Sequence, residues 1–155
     1  MNKTIIGIYG RADEGKSETI KNVCKLLIEL FPIAESSIKD INYDGDILLT
    51  IQIGKIQIGI ESQGDPNSRM VNQDTLKKLA DKTIDKELGG CDIIICATRT
   101  GGETVKKVDE IANNYDYYTL WISSFWSPDL NYEVLNRIAA ENIIGLIKSL
   151  ISEQL

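Results

Sequence analysis

The octet GRADEGKS, from Gly10 to Ser17, stands between two segments of opposite habit, and that junction restricts the fold more than any other stretch of the 155 residues. Before it, Lys3 to Tyr9 (KTIIGIY) is short, mostly apolar and β-branched, as in a strand covered on both faces. After it, Ile20, Val23, Cys24, Leu27 and Leu30 recur at three- and four-residue steps from Lys16, an amphipathic helix stopped near Pro32. The chain therefore passes from strand to helix through a loop bounded by glycines, and the free N–H groups of the helix start face that loop.

Each fixed position in the octet has a physical task. Gly10 and Gly15 let the backbone curl until its N–H groups converge, Lys16 adds a mobile cation and Ser17 a hydroxyl that suits Mg2+. The positive end of the helix dipole adds to these donors, which makes the place favourable for a phosphate chain. The spacing G-x-x-x-x-G-K-[ST] is that of a Walker A loop. Through Gly10, Gly15, Lys16 and Ser17 and their strand–loop–helix setting, the chain resembles the P-loop NTPase superfamily. The segment Gly10, Arg11, Ala12, Asp13, Glu14, Gly15, Lys16, Ser17 and Glu18 is then expected to cradle a nucleotide's phosphates. Asp13 and Glu14 place two negative charges in the loop, which cost binding energy unless they point outward, so both are expected to be exposed.

From Asp46 to Ser62 two alternating apolar runs, DILLTIQIG and KIQIGIES, meet at Gly54-Lys55, a β-hairpin pattern with a two-residue turn. If Ile53 faces Ile56, then Ile51 faces Ile58 and Leu49 faces Ile60, leaving Thr50, Gln52, Gln57 and Gly59 on the other surface. Downstream, a helix is predicted from Gln73 to Lys86, a buried strand from Cys91 to Ala97 and a helix from Glu103 to Asn113. A strand from Tyr118 to Ser123 and a closing helix from Asn131 to about Ile151 complete the order β-α-β-β-α-β-α-β-α. That order predicts an α/β protein, a single three-layer α/β/α domain, and the resemblance implies that it is of the P-loop NTPase kind. Its five-stranded sheet would be mostly parallel, with the first hairpin strand as an antiparallel edge. One helix followed by a hairpin is similar to the layout of small GTPases, and this resemblance implies the strand order 2-3-1-4-5.

Ligands of such sheets bind at the carboxyl ends of the strands, where a nucleotide site needs a carboxylate to orient Mg2+ and a water. Glu61 ends the second hairpin strand, and Glu61-Ser62-Gln63-Gly64 is similar to the D-x-x-G of GTPases with Glu in place of Asp. Glu61 or Asp65 would hold the metal with Ser17, and Gln63, or Asp65 if free, would orient the attacking water. Of four arginines, Arg11, Arg69 and Arg99 fall at the expected carboxyl edge. Arg99 or Arg69 is the candidate for the terminal phosphate, with surface pairing as the competing reading. The guanine signature [NT]-K-x-D is absent after CDIIICA, where Ala97-Thr98-Arg99-Thr100 stands, so ATP is preferred to GTP. Phe125 or Trp126 could stack on a purine, although a core or interface position is the commoner fate of such aromatics.

Composition excludes several alternatives. No histidine is present, which removes the commonest general base and every His-containing triad. A net charge of −6 argues against nucleic acid as the main partner. No apolar run approaches a membrane span, so a soluble, cytoplasmic protein with no membrane partner is expected. Cys24, Cys91 and Cys96 lie in apolar surroundings without C-x-x-C spacing and read as buried structural thiols. The favoured function is a Mg2+-dependent NTP-binding enzyme that hydrolyses or transfers the γ-phosphate. The alternative is a slow-turnover switch or regulatory subunit that presents the hairpin edge to a protein partner. A degenerate loop that takes only phosphate or a phosphorylated metabolite is a third reading, motivated by Asp13 and Glu14.

Overall fold

A computed structural model describes residues 1–11, 14–33, 40–65 and 69–153. Its elements in chain order are β1 (Thr4–Tyr9), α1 (Lys16–Leu30), β2 (Leu48–Ile53), β3 (Ile56–Glu61) and α2 (Arg69–Asn72). They continue with α3 (Thr75–Ala80), β4 (Ile93–Thr98), α4 (Glu103–Tyr115), β5 (Tyr118–Ser123) and α5 (Tyr132–Ile151). The strands form one five-stranded sheet in which only the β2–β3 pair is antiparallel. The architecture is therefore mixed α/β, and the hairpin supplies its antiparallel edge.

The hairpin has the register its alternation demands: Ile53 opposes Ile56, Ile51 opposes Ile58 and Leu49 opposes Ile60. Gly54 takes the turn at φ 59°, where a β-carbon would be strained.

The strand order is β2-β3-β4-β1-β5, not the 2-3-1-4-5 implied by the GTPase resemblance. Every residue of β4 is buried, a profile that belongs in the middle of a covered sheet, and β4 lies between β1 and β3. It pairs in parallel with both, Ile95 standing beside Ile6 on one side and Ile60 on the other. Consecutive strands β3 and β4 thus become neighbours, the commoner arrangement in sheets. One consequence reaches the site. The end of β3, with Glu61, stands two inter-strand spacings, about 10 Å, from the end of β1 instead of beside it.

Strand alternation divides the core into two layers. On one face Ile6, Ile8, Ile58, Ile60, Ile93 and Ile95 pack with α1 and α5 residues such as Ile20, Leu27, Ile143 and Ile147. On the other, Ile5, Ile94 and Cys96 pack with Leu76 and Leu79 of α3 and Val108 and Ile111 of α4. Each fully buried isoleucine contributes about 1.5–3 kcal/mol relative to exposure, so a sheet covered on both faces dominates the stability. All three cysteines are buried and unbridged, as expected of structural thiols, and burial pushes the Cys91 thiol up to about 12.

The helix predicted over 73–86 is shorter: α3 ends at Ala80, and α2 precedes it. The Asp81 carboxylate accepts from the Thr83 backbone N–H at 2.8 Å and from its hydroxyl, and this local alternative turns the chain out of the helix. The closing helix starts one residue late because Asn131 caps it, its side chain accepting from Glu133 N and Val134 N. No described helix is long and apolar enough to cross a membrane.

Candidate functional site

The 10–17 octet joins the carboxyl end of β1 to the start of α1, with Ala12 and Asp13 outside the described residues. Gly15 caps the helix at φ 78°, and a β-carbon there would run into the Asn136 amide of α5. Only glycine satisfies both demands. Among the described residues no side chain caps α1, and its first backbone bond is Thr19 N–H to Gly15 C=O. The N–H groups of Lys16, Ser17 and Glu18 have no acceptor among the described residues and stand at the positive end of the helix.

Lys16 is 6% exposed, and its Nζ donates to the carbonyls of Gly10 and Thr98 at 2.7 Å each. The Gly10 carbonyl directly follows β1 and the Thr98 carbonyl ends β4, so the ammonium bridges these two neighbouring strands at their carboxyl edge. Burial lowers the Lys16 pKa, and Arg99 pushes the same way against the opposing pull of Asp65 and Glu14. A desolvated cation with one remaining donor is short of negative charge.

Beside it stands a residue that the sequence did not single out. Asp46 Oδ1 accepts from Ser17 Oγ and from Ser62 Oγ, both at 2.9 Å, while Ser62 Oγ accepts from Ile47 N–H at 2.8 Å. The chain ahead of β2 is therefore tied at once to the helix start and to the segment after β3. The only sequence signal for Asp46 is the Asp44-Gly45-Asp46 turn before an apolar run, which says nothing of where that turn docks.

Glu14 departs from expectation. Its side chain is 19% exposed instead of turned outward, and its carboxylate accepts from the Arg11 backbone N–H at 3.1 Å, with the Arg11 guanidinium 3.4 Å away. The loop's own N–H groups seek an anion, and Glu14 supplies one from within. The Arg11 side chain itself is 82% exposed.

The acids and arginines beyond β3 pair with each other. Glu61 is fully buried, and Arg69 grips its carboxylate through Nε and Nη2, the latter at 2.9 Å. This bond raises the Arg69 pKa still further. Glu61 Oε1 also accepts from Gln63 N–H at 3.0 Å. Arg99 Nε donates to Asp65 Oδ1 at 3.1 Å. Gly64 lies so close to the Ala97 backbone that a β-carbon would overlap its carbonyl, and this contact carries the segment after β3 across the end of β4 toward Lys16.

Beside these pairs lies a cleft of about 560 Å³, the size of a small-molecule site. Of the expected residues, Glu14, Gly15, Lys16, Ser17, Glu18, Gln63 and Asp65 line it, together with the unforeseen Asp46, Ser62 and Asn136. Glu61, Arg69 and Arg99 are not among the lining residues, and Gly10 lies behind, against Ser124. Phe125 and Trp126 line the cleft and join neither core, Trp126 being 55% exposed, which corrects the expectation of a core position.

The donor set suits a hard cation. Ser17, Asp46 and Asp65 offer only oxygen, and no group of three or more His, Cys, Asp or Glu that could hold a metal occurs among the described residues. Mg2+ is held in this way, through one or two carboxylates with phosphate and water completing the shell, not by an all-protein cage.

Fold and cleft together define a mixed α/β chain whose cleft, at the carboxyl edge of the sheet, holds the Lys16 ammonium and the start of α1 among several carboxylates. No protein-family model, no curated protein and no solved structure matches the chain.

Proposed function

We propose that the cleft binds a nucleoside triphosphate, ATP in preference to GTP, as its Mg2+ complex, and that the protein hydrolyses or transfers the γ-phosphate as a P-loop NTPase does. The observation that carries this reading is the buried Lys16 ammonium, held beside the uncapped start of α1 and next to the Ser17 hydroxyl. Among common ligands, a polyphosphate answers all three needs: for negative charge, for acceptors of backbone N–H groups and for a metal-bound hydroxyl.

In this reading Lys16 neutralises the β/γ oxygens while the first-turn N–H groups hold the phosphate chain. Ser17 would hold Mg2+ with Asp46 or Asp65, since Arg69 already engages the Glu61 carboxylate. The metal, when bound, withdraws charge from the β- and γ-phosphates. Glu61 acts instead as a positioning residue, accepting from Gln63 N–H, and the Gln63 amide, whose Oε1 accepts from Arg69 N–H, keeps its NH2 group for a water at the cleft. Arg99 reaches the terminal phosphate only by leaving Asp65.

The slow-turnover switch stands as a second reading on one observation: no arginine lines the cleft among the described residues. An arginine on the transferring phosphate is worth about 10³–10⁵ in rate, so the arrangement described would turn over slowly until Arg99 or a partner's cation arrives.

Single-turnover release of labelled γ-phosphate with Mg2+, for wild type and Lys16→Ala, separates the two. Release within seconds to minutes that is lost in the variant supports the enzyme, and tight binding with release over hours supports the switch. A thermal-shift series with ATP, GTP and their diphosphates reports the base. Failure of every nucleotide to bind would sink both readings.

A further inference from the structure

The two edges of the sheet are finished differently. Beyond β2 the chain returns to meet it, Ile33 bridging to Ile53, and Ile33, Ile41 and Tyr43 pack against the core. Beyond β5 nothing follows among the described residues: its one neighbour is β1, and none of its six residues, Tyr118–Ser123, is buried. The N–H groups of Tyr118 and Ser124 donate to Lys3 and Tyr9 on the β1 side. By strand alternation, Thr119, Trp121 and Ser123 then aim their N–H and C=O groups outward in a row. The Trp121 ring does not screen them, because it lies back over β1 in the space that Gly7 leaves, with Tyr9 edge-on to it. Such an edge is normally blunted by Lys, Pro, a bulge or a covering segment. β5 carries no Lys, Pro or bulge, and no described segment covers it. It lies in a run, Tyr117 to Pro128, without Asp, Glu, Lys or Arg, and no uncharged run in the chain is longer.

We infer that β5 is a docking edge for a second copy of this chain, the two β5 strands pairing antiparallel about a two-fold axis at Trp121 so that the two sheets become one. The proposal is independent of what the cleft binds. A row of free backbone donors and acceptors is satisfied by another strand, and the sequence of β5 fits its own reverse. With Trp121 of one copy opposite Trp121 of the other, Thr119 faces Ser123, and every outward residue exchanges two N–H···O bonds with its opposite. On the other face of the sheet Leu120 then meets Ile122, an aliphatic pair on either side of the axis. No charge stands opposite a like charge, which matters for a chain of net charge −6 that elsewhere repels its copies. Tyr118 is 65% and Trp121 39% exposed, and with the rest of the strand they offer about 400 Å² per copy, half of what each partner gives a standard interface. The pair is therefore a reversible dimer, not an obligate one.

Sedimentation velocity from micromolar to millimolar protein, with residue-resolved amide hydrogen exchange at the two ends of that range, tests this in wild type, Thr119→Pro and Ser123→Lys. Thr119→Pro removes an outward N–H and leaves the bonds to β1 whole, whereas Ser123→Lys puts a charge at the seam with the backbone unaltered. Wild type should pass from monomer to dimer as concentration rises. Over the same range exchange at Thr119, Trp121 and Ser123 should slow by about tenfold or more, while Leu120 and Ile122, whose N–H groups face β1, change less. Each variant should dimerise at least about tenfold more weakly. Wild type that stays monomeric throughout, with the three outward amides exchanging equally fast at both ends, overturns the self-pairing and leaves the edge to a strand of another protein. A dimer that neither variant weakens and that leaves those amides unprotected has formed through another surface and overturns it equally. If Thr119→Pro fails to fold, Ser123→Lys alone gives both readings.

Discussion

Lys16 is flanked by two regions held in different ways. On the octet side the partner of its ammonium is Gly10, six residues away, and Glu14 closes onto Arg11 within three. On the opposite side Thr98 is 82 residues distant, and Asp46 reaches Ser17 across 29. The first region is made by one turn of chain and is present as soon as β1 and α1 form. The second exists only where separate loops dock at the sheet's edge, through side chains that are paired with one another. A ligand can rearrange the second far more readily than the first.

The comparison can be broken hardest at Arg69. Arg69→Met leaves the Glu61 carboxylate buried without its cation, and we expect a loss of about 3 kcal/mol, read as a fall in the urea midpoint. Adding Glu61→Leu should return much of that loss, because replacing both members of a buried pair by apolar groups is nearly neutral. If Arg69→Met alone is silent, the docked region is not held by this pair.

The next effect concerns Asp46. Asp46→Ala removes the acceptor of Ser17 and Ser62, and the Mg2+ concentration needed for half-maximal ATP binding should rise about tenfold or more, with metal-free ATP affinity little changed. A smaller gain is expected from the octet. Glu14→Gln takes away an internal anion, and polyphosphate affinity should increase by about fivefold in a titration at low salt.

Proton linkage gives the finest discrimination. Burial lowers the Lys16 pKa in the free protein, so its neutral form appears at a lower pH than for an ordinary lysine. Phosphate binding favours the charged form. ATP affinity should therefore fall as pH rises through the lowered pKa, and binding there should be accompanied by proton uptake. Calorimetry in two buffers of different ionisation enthalpy measures that uptake. Its absence in wild type would place Lys16 away from the ligand.

The same contrast explains what a reading of residues alone could reach. β1, α1, the hairpin and its register, β5 and α5 follow from apolar period, caps and a two-residue turn, all local signals. The position of β4 between β1 and β3 follows from pairing across the whole chain, and resemblance to a known layout implied another order. Glu61 ended the right strand but turned to Arg69, because a fully buried carboxylate eight residues from a guanidinium is satisfied more directly there than by the cleft. Asp46 and Asn136 could not be foreseen, since neither belongs to a spaced motif and each matters only through where its segment docks. Glu14 was expected outward from charge repulsion alone, and the pull of the Arg11 N–H was missed.

The account stands on phosphate recognition by Lys16, and the most direct measurement is an equilibrium titration of purified protein with Mg2+ and a non-hydrolysable ATP analogue, wild type against Lys16→Ala. One saturable site in wild type, weakened by about 100-fold in a variant that still melts cooperatively, is the predicted result. No binding by wild type, or the same affinity in both proteins, would contradict it.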